Sequence, residues 1–553
     1  MEILARVMFR TYNPIWFLSH HNFISPCMTK LKDRLKLLPL PTLLGKASAI
    51  LVTLLIVLYS VWYTSVGQFP TFPNYTDNGY TNLGEAFLHG QLSLLSKPDP
   101  KLISLQNPYD YEQYIKVPFE RDNSYYQGNY YLYWGPIPGV ISAGIEGITH
   151  IRPPDALLVV ISYMGLSFLL LINLMKIRDR FFRGAPSFSL TLFMLSGLVN
   201  IPFLFLLGRP EVYETSIIVG QLFLVVGLSS WMAYTETSKP FWLLIAGLGW
   251  GLALGSRYNL VISIAVFVSF IIVWIGQEGQ WKHFGGKVWL LLAPLALCIL
   301  GLGIYNFARF HNPFETGLTY QLTNPIKHFF LASYLPSNFY SYFFYPLNVT
   351  SRFPFIGIYH FSDTKLPIWL RYSADSLGKR FDPVMAGLLP STPSTWLLAL
   401  GIPLAVLLGT SYRRRRPALS NRFAFLALIL TACMVQVFFL LIFFYGAMRY
   451  LADFYLLLTL IVAMIVWRID ETIQSRPRLR ICLWVIVTGL VLGTSGMGLF
   501  GGFDIPPQIF QHYNPVLYSH LASYWNNCYQ GLKTIIHTLW IPKILHFVLH
   551  GAG

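Results

Sequence analysis

Long apolar runs alternate with short polar stretches along this chain. They fall near 48–66, 155–175, 188–207, 213–234, 240–256, 259–275, 288–305, 394–410, 423–446, 449–467 and 481–501. A helix needs about 20 apolar residues, and no fewer than roughly 17, to cross a bilayer core. The pattern predicts an all-α polytopic membrane protein with about eleven transmembrane helices. The two runs between 240 and 275 meet at Ser256, Arg257 and Tyr258, which predicts a tight helical hairpin.

One segment, 134–150 (WGPIPGVISAGIEGITH), is apolar but short, and it carries two prolines and Glu146. Basic residues decide its place, because Lys and Arg concentrate in cytoplasmic loops. With 134–150 outside the membrane, one face receives the clusters Arg6 to Lys46, Lys176 to Arg183, Arg413 to Arg422 and Arg468 to Arg480. The short loops of the other face then hold Arg209, Arg257 and Arg449, one each. A spanning 134–150 would flip every later loop and destroy that separation. The expected organisation is a cytoplasmic segment over 1–46, a transmembrane domain over 47–501 and an extracytoplasmic tail over 502–553. Two large outside loops, about 67–154 and 306–393, contain interfacial helices.

Composition agrees with lipid as the solvent. Apolar residues make up 54% of the 553 and charged residues 12%, against about 25% charged in soluble domains. The net charge of +16 sits in the clusters that orient a membrane protein, so nucleic acid is not the expected partner. Of the 24 acids, seven fall on the cytoplasmic side in this topology and 17 outside or at the outer ends of spans. The polar chemistry therefore faces outward. Cys27, Cys298, Cys433, Cys482 and Cys528 follow no disulfide or CxxC pattern and read as free thiols. The stretch 530–550 is amphipathic, as expected for an interfacial helix. Its His546 and His550 lack the further ligand a metal site needs. Met28 opens a basic stretch and is an alternative start.

Candidate chemistry lies on the outward face. Asp77 sits in the Pro/Asn/Gly-rich segment after the first run, where a carboxylate serves as a general base or as an Asx turn or helix cap. Glu211 and Glu214, three apart in RPEVYE, can share the face of a helix start, where the dipole favours them. A carboxylate at the depth of Glu214 is costly unless something there uses it. Arg257 occupies the turn between two runs and has no obvious partner. Arg309 lies in YNFARFHNPFETG. Arg449, next to Tyr450, either binds a phosphate or pairs with Asp453 four residues on. Aromatic residues crowd 124–136 and 333–346; they suit a membrane interface, and they also stack on sugars. There is no Walker A, dinucleotide, GxSxG or HExxH motif.

Several segments together resemble the GT-C superfamily of membrane glycosyltransferases, the group of protein O-mannosyltransferase-like and aminoarabinose-transferase-like enzymes with many bacterial members. They are YTDNGYTNLGEAFLHGQL around Asp77, GNYYLYWGPIPGV at 128–140, RPEVYE at 209–214, GLALGSRYNL at 251–260, YNFARFHNPFETG at 305–317 and MRYLADF at 448–454. The similarity covers roughly 48–500. It implies a polyprenyl-phosphate sugar donor and transfer on the outer face of a bacterial plasma membrane, to a glycan, lipid or protein acceptor. Asp77 would be the base, and Glu211, Glu214, Arg257, Arg309, Arg449 and Tyr450 would bind substrates. Asp77 is followed by Asn78 where many members have an acidic pair, so no cofactor is required by the pattern and a divalent metal is left open. A flippase for a lipid-linked substrate and a non-catalytic envelope-assembly subunit are the competing readings.

Overall fold

The computed structural model describes residues 40–73, 78–277, 281–322, 329–360, 367, 370, 380–381, 384–401 and 421–539. Its principal helices are α1 (Leu40–Thr64), α2 (Gly79–Leu88), α3 (Ile137–Thr149), α4 (Asp155–Phe181), α5 (Ser189–Leu198), α6 (Ile201–Gly208), α7 (Val212–Thr237) and α8 (Phe241–Ser256). They continue with α9 (Val261–Gln277), α10 (Trp281–Phe310), α11 (Leu335–Phe344), α12 (Asn421–Leu441), α13 (Ala452–Thr472), α14 (Pro477–Gly501) and α15 (Pro515–Leu539).

Eight of these helices, among the described residues, are long and apolar enough to cross a membrane: α1, α4, α7, α9, α10, α12, α13 and α14. A ninth arises if α5 and α6, bent by 50°, form one broken span. The break has a local cause. Asn200 is extended, its side chain accepts a 3.0 Å hydrogen bond from the Phe203 amide, and Pro202 in the next turn has no N–H to continue the ladder. Against the expectation of about eleven spans, the described residues hold eight such helices, or nine with the bent pair. Of the other two runs, 240–256 forms the shorter α8 of 16 residues. The run 394–410 begins as a 3-10 helix, Pro393–Leu400, and its residues 402–410 lie outside the described set.

The segment 134–150 forms the 13-residue α3, about 20 Å long and too short to span. His150 closes it in the left-handed region, and the Pro-Pro that follows turns the chain into α4. Before it, β1 (Ser124–Tyr126) and β2 (Asn129–Tyr131) make a hairpin. Gln127 and Gly128 both have positive φ, as a type I′ turn needs.

The packing separates charge by end. Lys46 pairs with Asp179, Lys176 with Glu236, Arg422 and Arg468 with Glu471, and Arg480 with Asp470, all at one end of the bundle. The two long loops, α2 and α3 gather at the other end. There Tyr63 donates to the Gly502 carbonyl, and Asn514 to the carbonyl of Val66.

Candidate functional site

Four helix ends and one loop converge at that second end. Helix α8 stops at Ser256 because Arg257 adopts an extended conformation, so its side chain leaves the helical path and enters the bundle. Gly220 of α7 makes room: a Cβ there would stand 2.8 Å from the Cβ of Arg257. The guanidinium meets the carboxylate of Asp453, at the start of α13, through two bonds of 3.3 and 2.9 Å. Asn259 donates to the same carboxylate at 2.8 Å, and Gln221 donates to the Asp453 carbonyl at 3.0 Å. Arg257 is 3% exposed and Asp453 fully buried. Burial on this scale is tolerated only with such complete pairing.

This corrects two sequence expectations. Arg257, expected to lack a partner, is bound to Asp453. Arg449 does not pair with Asp453, because Met448–Leu451 is a 3-10 helix and the phase between the two residues is not that of one α-turn. Arg449 instead faces Glu214 in the first turn of α7, at 3.7 Å. Both are buried. Neither Glu214 oxygen accepts a hydrogen bond from a described side chain, so this is an ion pair at a loose distance. Glu211 does not join it; it pairs with Arg209 at 2.7 Å in a partly exposed position.

Aromatic rings line the space between the two arginines. Tyr450 lies 5.0 Å from the Arg257 guanidinium and 5.6 Å from that of Arg449. Tyr213 stands 4.3 Å from Arg449, and Trp134 5.2 Å from Arg257. Such cation–π contacts suit guanidinium groups held out of water. The hydroxyls of Tyr133 and Tyr213 are 2.9 Å apart, and Gln321 donates to Tyr133 at 3.1 Å. Burial, and then Asp122, pushes the Tyr133 hydroxyl well up from its ordinary value, so it stays protonated. Arg309 is close by but occupied differently. It donates to the Leu132 carbonyl and to Asn306, each at 2.7 Å, and lies over Tyr305.

The candidate base Asp77 lies outside the described residues. The segment beside it is anchored by a residue the sequence did not single out. Asp155, fully buried at the start of α4, accepts from the amides of Tyr80 and Thr81 at 3.0 and 2.8 Å and from the Thr81 hydroxyl at 2.7 Å. It caps α2 from another helix. The available signal was an acid opening an apolar run directly after two prolines. Tyr133, Tyr213 and Trp134 had only their place in an aromatic cluster to mark them.

Among the described residues no three His, Cys, Asp or Glu side chains gather closely enough to hold a metal ion. Asp155 and Asp453 are already saturated by amides, a hydroxyl or a guanidinium. His546, His550 and Cys27 lie outside the described residues, and Cys298, Cys433, Cys482 and Cys528 are free.

No protein-family model matches the chain, and no curated protein matches it in sequence. Among solved structures it is similar to the apo oligosaccharyltransferase of Archaeoglobus fulgidus, with a TM-score of 0.44 and 11% identity over 87% of this chain and 59% of that one. It is also similar to the oligosaccharyltransferase AglB of that archaeon in complex with an inhibitory peptide and a dolichol-phosphate, with a TM-score of 0.44 and 12% identity over 81% of this chain and 55% of that one. The chain spans less than two thirds of the length of these proteins. At that level of similarity no residue role transfers from one chain to the other.

Proposed function

We propose that this protein is a membrane glycosyltransferase of the GT-C kind, moving a sugar from a polyprenyl-phosphate donor to an acceptor hydroxyl on the side of the two long loops. The observation that carries the reading is the buried carboxylate of Glu214, held at a loose distance from Arg449 at the helix ends. A carboxylate with no side-chain hydrogen bond among the described residues, 3.7 Å from a guanidinium and walled by Tyr213 and Tyr450, is poorly explained as a stabilising contact. Its geometry suits charge that develops and moves during a reaction.

In this reading Asp77 takes the proton from the acceptor hydroxyl as its oxygen bonds to the anomeric carbon of the sugar. The bond from that carbon to the phosphate oxygen breaks, and polyprenyl phosphate leaves with the electron pair. Arg449 and Arg309 receive the departing phosphate, and Glu214 orients the acceptor or assists the base. Tyr450 closes the wall between donor and acceptor. Arg257, committed to Asp453, acts as a positioning residue that fixes Tyr450 and the start of α13. Residues 1–46 face the cytoplasm, the domain over 47–501 spans a bacterial plasma membrane, and the tail from 502 lies outside, as the basic loop clusters favour.

The test is transfer from labelled polyprenyl-phosphate sugars by purified protein in liposomes, with release of polyprenyl phosphate as the readout. Release that requires an acceptor supports an enzyme. Movement of labelled lipid between leaflets with no release supports the flippase reading instead.

A further inference from the structure

A second group of polar atoms sits beside the Arg257 cluster and shares only the Trp134 ring with it. Segment 132–135 presses against the end of α8 so closely that a Cβ on Gly135 would stand 2.1 Å from the Gly255 carbonyl oxygen. That contact places Trp134 against Arg257, 5.2 Å from its guanidinium. Arg309 ties the same segment to α10 through the Leu132 carbonyl and covers the ring of Tyr305 at 3.8 Å. Tyr305 in turn meets Phe87 of α2, with ring centroids 6.1 Å apart, and α2 carries Tyr80.

The Tyr80 and Tyr305 hydroxyls and Nε1 of Trp134 are buried with no hydrogen-bond partner among the described residues, and the Tyr258 hydroxyl and Nε of Arg309 have none besides each other. Tyr80 is fully buried and Arg309 is 2% exposed. One orphaned donor is ordinary; several among neighbouring segments are not, because each costs about 1–3 kcal/mol. Their chemistry agrees in one respect. Indole N–H and guanidinium N–H only donate, and phenols donate readily. Burial, followed by Asp155, Tyr258 and Tyr305, holds the Tyr80 hydroxyl well above its ordinary value, so it remains a donor at neutral pH. Arg309 adds positive charge. Nothing in this group except the phenol oxygens accepts.

We infer that Tyr80, Tyr258, Tyr305, Trp134 and Arg309 form a binding site for a phosphate ester, between α2, the 132–135 segment and the ends of α8 and α10. The inference rests on the glycosyltransferase reading only for the identity of the ester, which is then the polyprenyl phosphate. A free phosphate or diphosphate has the same chemistry and is the other source.

The experiment is binding to detergent-purified full-length protein, read as a thermal-shift titration, separately with a polyprenyl phosphate, a polyprenol without phosphate, inorganic phosphate and pyrophosphate. The variants are Tyr258→Phe, Tyr305→Phe and Tyr80→Phe. Tyr59→Phe is the control, since its hydroxyl is also buried without a partner but lies on α1 beside Trp62 and Tyr63. The expected result is binding that requires the phosphate and weakens about tenfold or more in each site variant. Unliganded Tm should be equal to or above the wild type, and Tyr59→Phe should bind normally. A stronger response to polyprenyl phosphate than to pyrophosphate assigns the lipid source; the reverse assigns the soluble one. Phosphate-dependent binding unchanged in all three variants, or no phosphate-dependent binding by the wild type, overturns the inference and leaves the hydroxyls to ordered water. Transfer activity measured in parallel separates the two claims. Transfer that persists at wild-type KM for the donor in the Phe variants removes this site while the enzyme stands.

Discussion

Arg257 and Asp453 lie 196 positions apart in sequence and form a two-point ion pair, with Nη2 2.9 Å from Oδ2, in a region that neither side chain shares with bulk water. The pair joins the end of α8 to the start of α13. Removing one partner leaves the other charged and buried, at a cost of about 3–5 kcal/mol. Arg257→Ala and Asp453→Asn should each lower the Tm of the detergent-purified protein clearly. The apolar double variant Arg257→Met with Asp453→Leu should recover most of the loss. Single variants that melt with the wild type would show that the pair does not hold these helices.

The two glutamates of RPEVYE should behave differently. Glu211 has a partly exposed partner in Arg209, and such pairs contribute about 0–1 kcal/mol. Glu211→Gln should therefore change transfer by no more than about twofold. Glu214→Gln should lower transfer by about a hundredfold or more, and it should also lower the Tm, because Arg449 loses a buried counter-charge. Equal effects of the two substitutions would remove the special role of Glu214.

Asp155 should act through position. Asp155→Ala frees the amides of Tyr80 and Thr81 and leaves the Thr81 hydroxyl only the Pro153 carbonyl, a loss of about 1–3 kcal/mol. Limited proteolysis within 66–82 should accelerate in this variant. Asp155→Asn, which still accepts hydrogen bonds, should lie between it and the wild type. Unchanged cleavage in Asp155→Ala would show that α2 is docked by other contacts.

The glycines of the first long loop offer a steric comparison. Gly135→Ala forces apart two backbones, since its Cβ would meet Gly255 O at 2.1 Å, whereas a Cβ on Gly144 meets nothing within 4 Å. The first substitution should reduce both Tm and transfer. The second, inside α3, should be neutral or slightly stabilising, because alanine favours helix over glycine. The check is a side-by-side melt and transfer assay, and a neutral Gly135→Ala would contradict the close approach.

Much of this architecture was legible in the chain. Apolar runs marked the helices, and the alternation of basic loops separated the two ends that the packing separates. The prolines and short length of 134–150 set it apart from the spans, and α3 has that size. The residues Glu214, Arg257, Arg449 and Tyr450 were legible as a group because charge at the end of an apolar run is expensive. Their pairing was not. It depends on a 3-10 turn at Met448–Leu451, which changes the angle between Arg449 and Asp453, and on contacts such as Arg257–Asp453 that no local spacing encodes. Asp155 was missed for the same reason, since an acid at a helix start ordinarily serves its own helix. Asn200, which breaks one apolar run into α5 and α6, carried a readable signal in Asn-Ile-Pro.

The most direct measurement is release of polyprenyl phosphate from a labelled polyprenyl-phosphate sugar by reconstituted wild type, Asp77→Asn and Glu214→Gln, with and without acceptor. The account predicts acceptor-dependent release by the wild type and a fall of about a hundredfold or more in each variant. Release by both variants at the wild-type rate would contradict the assigned chemistry. No release by folded wild type over a broad panel of sugars and acceptors would contradict the glycosyltransferase reading itself.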